Sequence, residues 1–139
     1  ATTREQAEEV AREHLGGVPP LIRDASPAMR ETIELAGFRF AGLGPCTIPG
    51  KGPAVHAIFR DIKSDAHMAS LFIQVDKGQW DLDGSRTARL KENLEDDETV
   101  FVWPEEGYLY ILFVDSTADG KALRAALHAP SQECVLKAR

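Results

Sequence analysis

The sequence predicts an α+β domain: an antiparallel sheet of about five strands in a meander, with N- and C-terminal helices packed on one face. Three observations lead there. Apolar residues recur at helical spacing as far as Gly37. From Phe38 the apolar period falls to two, the mark of half-buried strands, and a helical pattern returns only after Asp119. Strands grouped together and flanked by helices, rather than alternating with them, read as α+β. The expected divisions are a helical part at 1–37, a sheet at 38–115, a closing helix at 117–129 and a tail at 130–139, all within one domain spanning 1–139.

In the opening "TTREQAEEVAREHLGG", Thr2 or Thr3 is the N-cap, with Glu5 or Gln6 three residues on as capping-box partner. Ala7, Val10, Ala11 and Leu15 make a narrow apolar stripe, and Gly16-Gly17 stops the helix. Pro19 and Pro20 remove backbone donors, so "VPPLIRDA" is expected to run extended. A second, short helix begins at the Ser26 cap with Pro27 in its first turn, turns Met29 and Ile33 inward, and ends at Gly37.

The strands follow in order. "FRFAGLGPCTI" and "AVHAIFRDI" form a hairpin about Pro49-Gly50-Lys51-Gly52-Pro53, with Val55, Ala57 and Phe59 on one face. In "HMASLFIQV", Ala69, Leu71, Ile73 and Val75 share a face, and Met68, Ser70 and Phe72 take the other. "TVFVW" and "YLYILFVD" pair across turn residues 104–107. The intervening 76–98 is polar and too long for a tight turn: a mobile loop, or a loop holding one helical turn around 88–94. Leu123, Ala126 and Leu127 place the closing helix on the sheet, Pro130 ends it, and the tail is expected to fray.

Composition narrows the partners. A 139-residue chain with 43% hydrophobic residues is enough for one core, and a net charge of -6 repels nucleic acid and acidic headgroups. No nucleic-acid partner is expected. The longest strongly apolar run, "YLYILFV", falls far short of the roughly 20 residues that cross a bilayer, so membrane contact is expected only through a segment absent from this chain. The chain opens on Ala1 rather than Met, which reads as a processed or excised piece of a longer protein. Cys46 and Cys134 have no C-x-x-C spacing, and both a disulfide and two free thiols are compatible with the sequence.

Each chemical motif has a plainer reading. "GLGPCTIPGKG" suggests a phosphate loop, but Pro45 stands where the first glycine belongs and Gly52 where the hydroxyl should be. Gly42 and Gly44 are read instead as allowing a bend or bulge. "DLDGS" suggests a calcium loop, but Leu90 stands where the bidentate Glu is required, leaving an Asx-type turn. His56 and His67 have no third or fourth ligand at a usable spacing, and are read as partly exposed sheet histidines. A Cys46–His56 nucleophile pair can be drawn across the hairpin, without a group to orient it. No catalytic, metal or cofactor-binding residue is therefore expected, and no cofactor. The candidate contact surface is Trp80, in the polar loop, with Tyr108 and Tyr110, which share a face of the last strand; packing inside the core is the alternative for both tyrosines.

The run "VPPLIRDASPAMRETIELAGFRFAGLGPCTIPGKGPAVHAIFRD", then "HMASLFI", then "VFVWPEEGYLYILFVDSTADGKALRAAL", resembles the C-terminal extracytoplasmic domain of transmembrane anti-sigma factors of the zinc-binding type. The shared pattern is a helix into a "GF" strand, a glycine bend, a Pro-Gly hairpin, a His-x-x-x-Leu-Phe strand, a Trp strand, and a Tyr strand leading into a short helix. It covers residues 1 to about 128, and 76–98 is longer than in the family pattern. The family's cytoplasmic sigma-binding segment, its His/Cys zinc motif and its membrane span are not in this chain. The resemblance implies a non-enzymatic sensory domain on the periplasmic face of a bacterial inner membrane, controlling transcription. Its partner would be a regulatory protein or a small ligand, with homo-oligomers open. The alternative is a free-standing, cytoplasmic soluble binding module. A third class, a thiol enzyme, would require a reactive Cys46.

Overall fold

The structure is a computed structural model that describes residues 3–48, 52–64, 67–80, 82, 85–90, 98–115 and 117–136. Four helices and seven strands lie among them: α1 (Arg4–Leu15), α2 (Pro20–Arg23), α3 (Pro27–Leu35), β1 (Phe38–Ile48), β2 (Gly52–Asp61), β3 (Met68–Val75), β4 (Thr87–Leu90), β5 (Thr99–Glu105), β6 (Tyr108–Val114), α4 (Thr117–Ala126) and β7 (Glu133–Leu136).

Local signals explain the helix starts. Thr3 Oγ1 accepts from the Gln6 N–H at 3.1 Å while Gln6 Oε1 accepts from the Thr3 N–H at 2.9 Å, a complete capping box. Gly16, at φ 77°, closes α1 in the left-handed conformation that a Cβ would strain. Ser26 Oγ caps α3 by accepting from the Met29 N–H at 3.2 Å, and Pro27 opens its first turn. The expected extended path at 18–25 is corrected: α2 is a single helical turn. Pro20 occupies its first position, where a missing N–H costs nothing, and Pro19 before it takes the extended conformation that a following proline favours.

The fold class is α+β, but the sheet has seven strands rather than about five, and it is mixed rather than a simple meander. Its order is β1-β2-β3-β6-β5-β4-β7, antiparallel throughout except for the parallel β4–β7 pair. Both unexpected strands sit at one edge. Residues 88–90, assigned to a helical turn or a loop, are strand β4 against β5, while 91–97 lie outside the described residues. Residues 133–136, assigned to a frayed tail, are β7. Thr87 binds this last segment before the strand begins: its N–H donates to Gln132 O at 2.8 Å and its hydroxyl to Pro130 O at 2.6 Å. Since β7 runs parallel to β4, the chain needs a crossover to reach it, and α4 is that crossover.

Alternation along the strands sorts residues into two layers. Toward the helices, Val55, Ala57 and Phe59 of β2, Leu71 and Ile73 of β3, Phe101 and Trp103 of β5, and Tyr110 and Leu112 of β6 form the main core with Ala7, Ala11 and Leu15 of α1, Ile33 of α3 and Leu123 of α4. On the opposite side, Ala88, Val100, Val102 and Ile111 form a second cluster, with Trp80, Leu82, Phe72 and Phe113 packed half-buried against it. The β1–β2 hairpin keeps register from Gly42 to Ile48, and the shift between Phe40 and Gly42 is the expected bulge. Of its turn, residues 49–51 lie outside the described residues.

Candidate functional site

Between the helices and the β1–β2 end of the sheet lies a partly open cavity of about 380 Å³. Side-chain size accounts for it. Where α1 faces the sheet it presents Ala7, and β2 answers with Ala57, so small meets small and the larger neighbours Ile22, Ile33, Phe59 and Ile73 form walls and floor. Phe40, on the edge strand, stands edge-on to Phe59 with ring centroids 5.9 Å apart and remains 38% exposed, which leaves this side open.

Few polar groups line the space. The Thr3 and Ser26 hydroxyls are already used as helix caps. The charged lining residues are Arg4, Arg30, Arg39 and Glu34, three cations against one anion in a chain of net charge -6. Arg4 is engaged, pairing with Glu8 at 3.4 Å and donating to the Arg23 carbonyl. Arg30, exposed one turn before Glu34, has no ion pair or side-chain hydrogen bond among the described residues. The arrangement can hold an apolar body inside and a charged group at its mouth.

The three residues expected as a contact surface are not brought together. Trp80 packs, half-buried, on the second cluster, on the side of the sheet away from the helices. Tyr110 is 1% exposed, stacked on Trp103 with centroids 5.5 Å apart, so it belongs to the core and presents no surface. Burial, then the nearby Glu105 carboxylate, pushes its phenol far above the ordinary range. Tyr108 is half-buried against the same core, and a Cβ on Gly17 would stand 2.5 Å from its hydroxyl.

The other sequence candidates are equally dispersed. His56 pairs with Gly44 and Phe72, and its ring stacks on Phe72 at 4.3 Å, where burial holds it below the ordinary histidine range. Its Nε2 has no partner among the described residues. Cys46 pairs with Ala54 beside it, and the Sγ contact is the Thr47 carbonyl at 3.8 Å. His67 adjoins Asp61 at the far end of β2, about 17 Å from His56 at the usual strand rise, which separates the two as ligands. Its Nδ1 meets Asp115 at 3.0 Å, and this carboxylate holds it above the ordinary range. Both cysteines are free: Cys46 lies on edge strand β1 and Cys134 on the opposite edge strand β7. Among the described residues, no group of three or more His, Cys, Asp or Glu is placed to hold a metal ion, and no helix is long and apolar enough to cross a membrane. Asp81, Asp83 and Gly84 of the calcium-like stretch lie outside the described residues.

Sequence reading missed the cavity. Its only linear trace is alanine at inward positions of a helix and a strand, Ala7 and Ala57, and the pairing of that helix with that strand is a tertiary fact. Comparison of the chain with protein-family models, with curated proteins and with solved structures finds no match.

Proposed function

We propose that this chain is a non-enzymatic regulatory domain, the outer half of a membrane-anchored anti-sigma factor, which senses occupancy of its helix–sheet interface. The observation that carries this reading is that α1 is itself a wall of the cavity, through Arg4 and Ala7. A ligand touching α1 on one side and Ala57 and Ile73 on the other favours the docked helix, because only the docked state offers both surfaces.

The magnitudes suit a switch. Of the α1 side chains, Ala7, Ala11 and Leu15 are buried. A buried leucine contributes about 2 kcal/mol and each alanine methyl under about 1 kcal/mol. A ligand present at a hundredfold excess over its Kd adds about 2.7 kcal/mol, comparable with that hold. The segment order of helix, glycine bend, Pro-Gly hairpin, Trp strand, Tyr strand and short helix supports the anti-sigma reading, and with it a periplasmic location and control of transcription across the membrane.

The test is to sequence the parent gene upstream of the codon for Ala1. A membrane span of about 20 apolar residues, preceded by a short His/Cys segment, is the expected result. A start codon directly before Ala1 would overturn the anti-sigma reading. It would leave a free-standing soluble binding module that uses the same cavity.

A further inference from the structure

We propose that the cavity binds a free, unbranched monocarboxylate of medium chain length, tail inward between α1, α3 and the sheet, with its carboxylate on the Arg30 guanidinium. This rests on the reading of the cavity as the sensed site, and adds the chemistry of what is sensed. Three observations carry it. The interior is built from the buried apolar residues Ala7, Ile22, Ile33, Ala57, Phe59 and Ile73, while the two hydroxyls in its lining, Thr3 and Ser26, sit at exposed helix starts, so a ligand's buried part must be apolar. There is room for such a tail: the cavity, at about 380 Å³, is many times the space one water needs, and it is open on the Phe40 side.

Charge then selects the head group. Arg30 is a guanidinium without a partner among the described residues, with Arg4 and Arg39 also lining the cavity. A planar carboxylate matches one guanidinium with two parallel hydrogen bonds. Glu34 lies one turn along α3 in the same lining, so a doubly charged head such as a phosphate would meet repulsion that a single negative charge meets less.

The experiment compares decanoate, decanol and decyltrimethylammonium, which share a tail and differ in charge, by following amide and methyl shifts of the isotope-labelled chain in NMR. Decanoate is expected to shift Ala7, Ile33, Ala57 and Ile73 and to bind about tenfold more tightly than decanol, with the cation weakest. Affinity should rise roughly threefold to fourfold per methylene from hexanoate to decanoate. Arg30→Gln should erase the preference for decanoate while leaving decanol binding, which also reports that the variant remains folded. Equal binding of decanoate and decanol would overturn the carboxylate site and leave the sensing cavity standing. Shifts confined to the opposite face of the sheet, or no shifts from any of the three, would overturn both. Binding to phosphatidylglycerol vesicles without binding of free decanoate would overturn the proposal in favour of a membrane surface.

Discussion

Arg124 is charged yet only 6% exposed. It lies 4.8 Å over the Phe101 ring, forms an ion pair with Glu133 Oε2 at 2.8 Å and donates to the Ser131 carbonyl at 3.1 Å, tying α4 to the segment that becomes β7. Removing the Glu133 charge leaves Arg124 buried without its anion, whereas removing Arg124 leaves the more exposed Glu133 with Lys121 at 3.6 Å and Arg89 at 3.8 Å. Glu133→Gln is expected to cost about 2 kcal/mol, and Arg124→Met less, both read from urea unfolding. A cost for Arg124→Met equal to that for Glu133→Gln would show that packing, not charge, governs this site. His56 in β2 and His67, just before β3, give a pH signature with opposing signs. Asp115 raises His67, so its contribution is complete below the ordinary value of about 6.5 and is lost as pH rises through the raised one. Burial lowers His56, so the fold keeps its full stability above the ordinary value and loses some as pH falls through the lowered one. In an NMR titration His56 should protonate at lower pH than His67. On acidification His67→Asn should lose more melting temperature than the wild type, and His56→Phe less; coincident titration of the two rings would contradict this.

α4 comes close to the sheet at a glycine. A Cβ built on Gly120 would stand 2.4 Å from Val114 Cγ2 and 2.7 Å from Phe101 Cε2, both belonging to buried residues. Ala gains about 1 kcal/mol over Gly in a helix interior, while forcing a methyl into a filled core costs about 1–3 kcal/mol. Because neither neighbour can swing into solvent, overpacking should win. Gly120→Ala is expected to lower stability by about 1 kcal/mol, and a rise in melting temperature would show that α4 lifts without penalty. The same helix shows where sequence reading stops. Strands β1, β2, β3, β5 and β6 were legible because each is a run of seven residues or more with many apolar side chains and, apart from the β3–β6 pairing, each has its partner next to it in the chain. β4 and β7 are four residues each and lack a strong alternation, and β7 pairs only with β4, in parallel across α4, so it has no signal until β4 is in place against β5. Pro19-Pro20 misled for a local reason: a proline breaks a helix interior but is tolerated in the first turn, and "VPPLIRDA" does not say which position it occupies. Tyr110 misled for a tertiary one, since a tyrosine sharing a strand face with Leu112 is surface or core according to whether helices cover that face.

Taken as a whole, the molecule is held unevenly, and the unevenness sets how it could respond to a ligand. β2, β3, β5 and β6 are stitched by continuous antiparallel ladders and fill the core with Leu71, Ile73, Phe101, Trp103 and Leu112. α1 has its capping box and the pairs of Glu8 with exposed Arg4 and Arg12, each worth a few tenths of a kcal/mol, but fully buries only Ala7, Ala11 and Leu15 against that sheet, with Val10 half-buried beside them. Local opening follows such differences, since an element with little buried apolar surface detaches at a free energy below that of global unfolding. Native-state hydrogen exchange should therefore rank the amides. Those of β3 and β6 should exchange only through global unfolding, with strong denaturant dependence. The interior amides of α1 should exchange several kcal/mol more readily, with weak dependence, through undocking of the helix. Ligand linkage makes the ranking diagnostic. A ligand that fills the cavity touches Arg4 and Ala7, so at a hundredfold excess over its Kd decanoate should slow α1 exchange by about a hundredfold. Each β3 and β6 amide should gain no more than α1 does. If α1 exchanges with the sheet as one cooperative unit, the helix cannot act as a separate two-state element, and a signal transmitted by its docking has no physical basis.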